Sequence, residues 1–367
     1  MNNTQLLSQI ALTLVPHIGA VQARILVDHF GEAAAIFKAG KKELSSIEYI
    51  GEVRAAAIRQ FSNFSEAEAQ LRFIEQYNIQ ALFLTDAGYP QRLLHCPDAP
   101  TLLYFKGNAN LNAPKVISII GTRGNTAYGR HLTEQLVADL AGQDILILSG
   151  LAMGIDAIAH KAALAAQLPT VGVLAHGLDT IYPAQHKTLA KEMLLQGGLL
   201  TEFSSKVAPD KYNFPKRNRI VAGMADATIV VETGTKGGSM ITAGLASGYN
   251  RDVFAFPGRT TDAKSAGCLS LIQHNKAALI TNAQQMMEMM GWWHTTVGAP
   301  AAQTTLFPVL SQEEQLIVDL CKEKEAVHID ELYSSCGLSS SAIAAVLLEM
   351  ELKGLLTTLP GKRYALA

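Results

Sequence analysis

The spacing of apolar residues changes character twice along this chain. Over residues 1 to about 75, positions such as Leu12, Val15, Ile25, Leu26 and Phe30 recur near the helical period, with Gly19 and Gly31 as punctuation. That pattern predicts a set of short helices. From Lys115 it gives way to compact β-branched runs: Val116–Ile120, Ile145–Leu148, Thr170–Leu174, Gly198–Glu202, Ala227–Val231, Val253–Phe256 and Ala278–Ile280. Helix-like stretches from about Tyr128 to Leu140 and from Gly154 to Ala166 alternate with the first of them. Short apolar strands alternating with helices predict a parallel sheet covered on both faces. Before this region, Ala81–Leu84 and Leu102–Phe105 read as extended segments flanking a passage with Pro90, Pro97 and Pro100.

The third pattern follows a stretch rich in small and polar residues, 291–307, which reads as a linker. Ser311-Gln312-Glu313-Glu314 is a helix-capping signature, and further helices are expected over His328–Cys336 and Ser339–Lys353. A hairpin built on Gly354 and Pro360-Gly361 then closes the chain. Three helices and a hairpin predict a winged-helix-like domain. The expected division is a helical domain over 1–78, an α/β domain over 79–290, the linker, and the winged domain over 308–367.

Composition narrows the class. A chain of 367 residues, 49% hydrophobic and 17% charged, is long enough for two or three packed domains and too apolar to be disordered. Cys96, Cys268, Cys321 and Cys336 lie far apart, with no CxxC and no zinc spacing. They read as reduced, mostly buried thiols of a cytosolic protein. No stretch approaches the ~18 apolar residues that a membrane-spanning helix needs. The run Ile10–Val15 lacks a preceding basic residue and is interrupted by Pro16-His17, so it reads as a helix and not a leader.

The net charge of -2 conceals an uneven distribution. Lys plus Arg against Asp plus Glu stand at 9 to 10 over 1–110, 16 to 13 over 111–307, and 5 to 9 over 308–367. Only the middle region is positive, which directs an anionic ligand there. Within it, Phe214-Pro215-Lys216-Arg217-Asn218-Arg219-Ile220 carries three cations in four positions without an acidic residue, just after Lys211 and Tyr212. Guanidinium forks suit phosphate oxygens, so this segment reads as part of a polyanion or nucleotide site; the alternative is a solvated turn entering a helix.

Ligands of an open α/β sheet sit beyond the carboxyl ends of its strands. One such end carries Gly121-Thr122-Arg123-Gly124, either a phosphate-cradling turn or a plain tight turn. A second carries Ser149-Gly150-Leu151-Ala152-Met153-Gly154, expected to offer free amides to an anion, followed by Asp156 and His160 on one helical face. That pair reads as packing and hydrogen bonding, with general-base work the alternative. A third carries Glu232-Thr233-Gly234-Thr235-Lys236-Gly237-Gly238-Ser239. Together the three turns and the basic segment make a composite surface able to neutralise several phosphates, with Tyr212 or Phe214 able to stack a base. There is no GxGxxG, no Walker lysine, no nucleophile elbow and no His/Cys/Asp ligand cluster, so no cofactor, metal or catalytic residue is expected.

With Gly121-Thr122-Arg123, Ser149 to Ala157 and Phe214 to Val221 all in order, the chain resembles the DNA-processing protein A family (DprA, also called Smf). The resemblance implies an α/β fold: an extended Rossmann-like central domain with a mostly parallel sheet, a small helical N-terminal domain and a C-terminal winged helix. It also implies single-stranded DNA binding, dimerisation, and loading of the RecA recombinase on incoming DNA in natural transformation. Carried over by position, the DNA site would comprise Gly121, Thr122, Arg123, Ser149, Gly150, Lys211, Lys216, Arg217, Asn218, Arg219 and Lys236. Asn218 would hold the guanidinium forks of Arg217 and Arg219 in register. Thr122 stands where the family typically has Ser, which keeps the hydroxyl. Near the N-terminus, Val15-Pro16-His17-Ile18-Gly19 and the helix after it resemble half of a helix-hairpin-helix module, or else a packing domain without a ligand. The winged domain is acidic, and its candidate recognition helix bears no Arg or Lys, so it is expected to bind protein or another part of the chain.

A reading of a different class remains beside this one. Glycine-rich turns and Glu232 also resemble nucleotide 5'-monophosphate phosphoribohydrolases of the lysine-decarboxylase-like group. There Glu232, with Arg219 or Arg123, would serve glycosidic cleavage, although the Pro-Gly-Gly-x-Gly-Thr turn of that group is rearranged here.

Overall fold

The β-branched runs pair edge to edge. The computed structural model describes residues 3–292, 310–322, 324, 326–359 and 362–366. The strands of the main sheet are β1 (Gln80–Phe83), β2 (Leu102–Gly107), β3 (Lys115–Ile120), β4 (Ile145–Ser149), β5 (Thr170–Val173), β6 (Gly197–Thr201), β7 (Ala227–Val230), β8 (Asp252–Ala255) and β9 (Ala278–Leu279). They lie in the order β1-β2-β6-β5-β4-β3-β7-β8-β9. Every pair from β6 to β9 is parallel, while β1–β2 and β2–β6 are antiparallel. The mostly parallel sheet expected from the sequence is therefore present.

Central strands covered by helices on both faces have no solvated side, which is why β3, β4 and β7 read as unbroken apolar runs. Their residues are buried almost throughout. Two of the polar residues among them satisfy each other, Ser118 Oγ donating to Thr228 Oγ1 at 2.8 Å.

The chain forms two compact units, Met1–Trp293 and His294–Ala367. Within the first, the N-terminal helices share a core with the sheet: Ile10, Leu26, Leu103 and Val171 belong to one buried apolar cluster. Polar ties reinforce it. Arg24 donates to the carbonyls of Leu94 and Cys96, and Gln70 Oε1 accepts from the amide and hydroxyl of Ser205.

The helical region contains a second hairpin that the sequence reading did not register. Val15–Gly19 and Ile47–Gly51 each close with an i to i+3 backbone bond, Ile18 N to Val15 O and Ile50 N to Ile47 O. His17 and Tyr49 occupy the matching left-handed position, at φ 64° and 65°. Arg54 donates to the carbonyl oxygens of both, tying the two hairpin tips together.

The second unit has the helices Gln312–Lys322, Ile329–Ser335 and Ser340–Leu352. Its small sheet comprises β10 (Val327–His328), β11 (Leu356–Leu359) and β12 (Arg363–Leu366), with β12 between the other two. The predicted capping signature is a reciprocal pair: Ser311 Oγ accepts from the Glu314 amide, and Glu314 accepts from the Ser311 amide. Helix Ser340–Leu352 buries Ile343, Val346, Leu347 and Met350, and presents Leu348 and Leu352 outward. Of the expected linker 291–307, everything from 293 onward lies outside the described residues. Among the described residues, no single helix is long and apolar enough to cross a membrane.

Candidate nucleic-acid interface

From β3 the sheet grows in both directions, through β4, β5 and β6 on one side and β7, β8 and β9 on the other. Such a reversal opens a crevice at the carboxyl ends of the strands. The turns after β3, β4 and β7 meet there with the first turns of helix Asn213–Met224, around a cleft of about 380 Å³. The three glycine-bearing turns singled out in the sequence thus converge on one cavity. Gly121 permits the meeting: a Cβ there would stand 2.5 Å from Ile155 and 2.9 Å from the Glu232 carbonyl. The Thr122 amide donates to that carbonyl, and the Thr122 carbonyl accepts from Ile155, fastening the first turn to the other two.

Of the predicted site residues, Gly121, Thr122, Arg123, Gly150, Arg217, Asn218 and Lys236 line the cleft. Arg123 and Lys236 are exposed. The Arg123 guanidinium lies over the Phe214 ring, 5.4 Å from its centroid, and Tyr182 flanks Phe214 at 6.0 Å. Phe214 therefore shares one aromatic surface with a phosphate-competent cation. Helix Gly238–Gly248 starts at the cleft, and its cap residue Gly237 offers no side chain. The first N–H groups of a helix have no intrahelical acceptor, so this end favours an anion.

Arg217 is buried. It donates to the carbonyls of Gly150 and Val173 and, through Nε, to Asn218 Oδ1 at 3.2 Å. Burial lowers the Arg217 pKa to about 10, with Asp156 opposing the shift and Arg123 adding to it; the group stays cationic at neutral pH. Burial pushes the Asp156 carboxyl upward, while Arg217 and the amides of Ala152 and Gly150 pull it back.

Four expectations are corrected. Ser149 does not face the cleft; it is buried and donates to the Ile119 carbonyl at 2.6 Å. The amides of the second turn are not free: Asp156 Oδ2 accepts from Gly150 at 3.1 Å and from Ala152 at 3.4 Å. A carboxylate at the first turn of helix Ile155–Ala165 fills the position a phosphate would take. Arg219 points elsewhere. Residues two apart on a helix diverge by about 200°, and Arg219 pairs with Glu202 and the Asp98 carbonyl, lining a separate cavity with Lys216. Asn218 accordingly positions Arg217 alone, donating from Nδ2 to Gly238 O at 3.3 Å. Lys211 and Lys216 are exposed and do not line the cleft, Lys216 lining the separate cavity with Arg219.

His160 makes no bond to Asp156. Its Nδ1 meets Thr170 Oγ1 at 2.7 Å in a fully buried setting. Glu232, the carboxylate of the hydrolase reading, is also committed. It accepts from the amide and hydroxyl of Thr126 and so closes the start of helix Ala127–Asp139, and it does not line the cleft. Thr242 and Val221 line the cleft without having been anticipated. Helical spacing from Ser239 and Arg217 was the available signal.

Comparison with known proteins decides the family. The profile of the DNA recombination-mediator protein A family matches residues 80–291. The chain belongs to this family. Profiles for a helix-hairpin-helix motif and for a DprA winged helix domain match residues 10–71 and 299–362. Protein Smf of Synechocystis is 31% identical over 99% of both chains, and DNA processing protein DprA of Bacillus subtilis is 35% identical over 65% of this chain and 80% of its own. Among solved structures, DNA processing protein A of Streptococcus pneumoniae aligns with TM-score 0.59 and 34% identity, covering 70% of this chain and 96% of its own. DNA processing protein A of Helicobacter pylori, described for its single-stranded DNA binding mode, aligns with TM-score 0.53 and 31% identity, covering 58% and 96%.

Proposed function

We propose that this chain binds single-stranded DNA in the cleft and delivers it, as a homodimer, to a RecA-type recombinase in natural transformation and homologous recombination. The observation that carries the DNA reading is the meeting of Arg123, Lys236 and Arg217 with Phe214 and the uncapped start of helix Gly238–Gly248. Cations and helix amides take phosphates while an aromatic face takes a base, a combination that suits single strands of any sequence. The Helicobacter pylori relative supports the same ligand. We assign direct contacts to Gly121, Thr122, Arg123, Asn218 and Lys236, with Gly150 seating Arg217 and with Lys211 and Lys216 widening the positive surface. Arg217 contributes charge from below, and Ser149 and Arg219 act through the fold.

Dimerisation, RecA delivery and action in the cytoplasm rest on family membership. The winged unit is read as a protein-binding module: Leu348 and Leu352 are exposed on a helix that carries Glu349 and Glu351 and no Lys or Arg. An acidic, apolar face suits a protein better than a DNA groove. Binding of this kind needs no cofactor and no general acid or base, and the engagement of Glu232 with Thr126 supports a non-enzymatic protein.

Fluorescence-anisotropy titration of a labelled oligothymidylate at two salt concentrations tests the DNA reading. Salt-sensitive binding by the wild type, weakened in Arg123→Ala and in Lys236→Ala, is expected. A folded wild type that does not bind would overturn it. Recombinase assembly on strands precoated with single-strand-binding protein tests delivery.

A further inference from the structure

A second groove of about 760 Å³ opens beyond the cleft, between the start of helix Ala127–Asp139 and the loop that follows β8. Its walls carry Tyr128, Arg259, Asp262 and Lys264, all exposed. The Tyr128 hydroxyl donates to the Pro257 carbonyl at 3.3 Å, which holds the ring at the mouth with 49% of the residue accessible. Arg259 has no ion pair among the described residues.

This groove is stitched to the cleft by the backbone. The Lys264 ammonium donates to the Gly124 carbonyl, one residue from Arg123. The Gly267 amide donates to the Thr233 carbonyl at 2.9 Å, which locks the β8 loop against the turn carrying Lys236. A Cβ at Gly267 would stand 2.2 Å from the Gly234 carbonyl, so the helix that ends the β8 loop, Ala266–Gln273, starts directly against that turn. In sheet order the cleft lies over β4, β3 and β7, and the groove lies between the segments that follow β3 and β8, the two strands flanking β7. Adjacent strands stand about 4.8 Å apart, so a strand of nucleic acid leaving the cleft past Arg123 meets Lys264 next.

We propose that this groove is a second subsite for the same DNA strand, with Arg259 and Lys264 contacting phosphates and Tyr128 stacking a base. The proposal rests on the reading of the cleft as a single-strand site. Two cations against the single carboxylate of Asp262 leave the groove net positive, and Tyr128 supplies the aromatic surface that sequence-tolerant strand binding uses. The start of helix Ala127–Asp139 takes no part, because Glu232 and Thr126 already satisfy it.

The test separates the subsite from the cleft by strand length. Affinity of the full chain is measured for oligothymidylates of about 5 and about 20 nucleotides, since single-strand sites span roughly 4–16 nucleotides. Arg259→Ala, Lys264→Ala and Tyr128→Ala are each expected to weaken the long strand about tenfold and leave the short one unchanged. Tyr128→Phe is expected to retain binding. The double cation variant is expected to lower the salt slope for the long strand by about 1.4. Arg123→Ala, by contrast, weakens both lengths. Unchanged long-strand affinity in Arg259→Ala and Tyr128→Ala, with a wild type that binds, overturns the subsite alone. Equal weakening of both lengths also overturns it, because the residues then belong to the cleft or to the fold. A wild type that binds neither length overturns the cleft reading itself.

Discussion

Arg217 and Gly150 are made for each other: the buried guanidinium lies against the glycine α-carbon and donates to the glycine carbonyl. A Cβ at position 150 would stand 2.4 Å from Arg217 Nη1 and 2.6 Å from both Cζ and Nη2. The turn after β4 is thus bound to helix Asn213–Met224 through one side chain that no other residue type replaces. Its charge sits beneath the cleft, where Asp156 offsets the burial.

Gly150→Ala should therefore dislodge Arg217 and cost about 2–4 kcal/mol of stability, the range for disturbing a buried charge network. Denaturant unfolding measures the loss. Arg217→Lys should fall in the same range, because a single ammonium cannot serve the Gly150 carbonyl, the Val173 carbonyl and Asn218 in the guanidinium geometry.

Arg219 makes the opposite prediction to Arg123. Arg219→Ala leaves Glu202 buried without its partner, and burial already disfavours the charge on that carboxyl. A loss of about 3 kcal/mol is expected, with little change in DNA affinity for the protein that remains folded. Melting and anisotropy on the same sample distinguish this outcome from a direct DNA contact.

Arg123→Ala and Lys236→Ala should each reduce the salt slope of single-strand binding by about 0.7, the share of one phosphate. Phe214→Leu keeps apolar volume while removing both the base-stacking face and the seat of the Arg123 guanidinium. It should weaken binding about tenfold with an unchanged salt slope, as read from titrations at several salt concentrations.

Acid should destabilise the protein through His160. Thr170 Oγ1 donates to the Ile147 carbonyl, so His160 Nδ1–H donates to Thr170, and the bare Nε2 lies buried without a partner. Burial, then the charges of His186 and Arg217, push the imidazole down to about 3. The unfolded chain binds a proton near pH 6.5 that the folded one refuses, so this contribution is intact above that pH and is lost progressively below it. About 2 kcal/mol should disappear between pH 6.5 and 5. Denaturant titrations at both pH values, with His160→Gln showing the shallower dependence, check the assignment.

The local pattern determined the sheet, the winged unit and the turns that meet at the cleft. β-branched runs buried on two faces have no polar alternation to hide them, and glycine next to a hydroxyl or cation at a strand end has few other uses. The order of the three motifs was enough to identify the family. Only the tertiary structure decided what each polar group faces. Asp156 takes the amides of its own turn, Glu232 caps a helix begun by Thr126, and Arg219 finds Glu202 and Asp98 from distant segments. Nothing in the spacing 216–219 distinguishes the cation under the cleft from the one on the far side, because the helix phase was set by packing. The repeat of the Val15–Gly19 hairpin at Ile47–Gly51, and the groove at Tyr128, Arg259 and Lys264, likewise depend on segments far apart in sequence. Arg54 joins the hairpins, and the groove follows from strand order, which hydrogen bonding between β3, β7 and β8 imposes and no local stretch encodes.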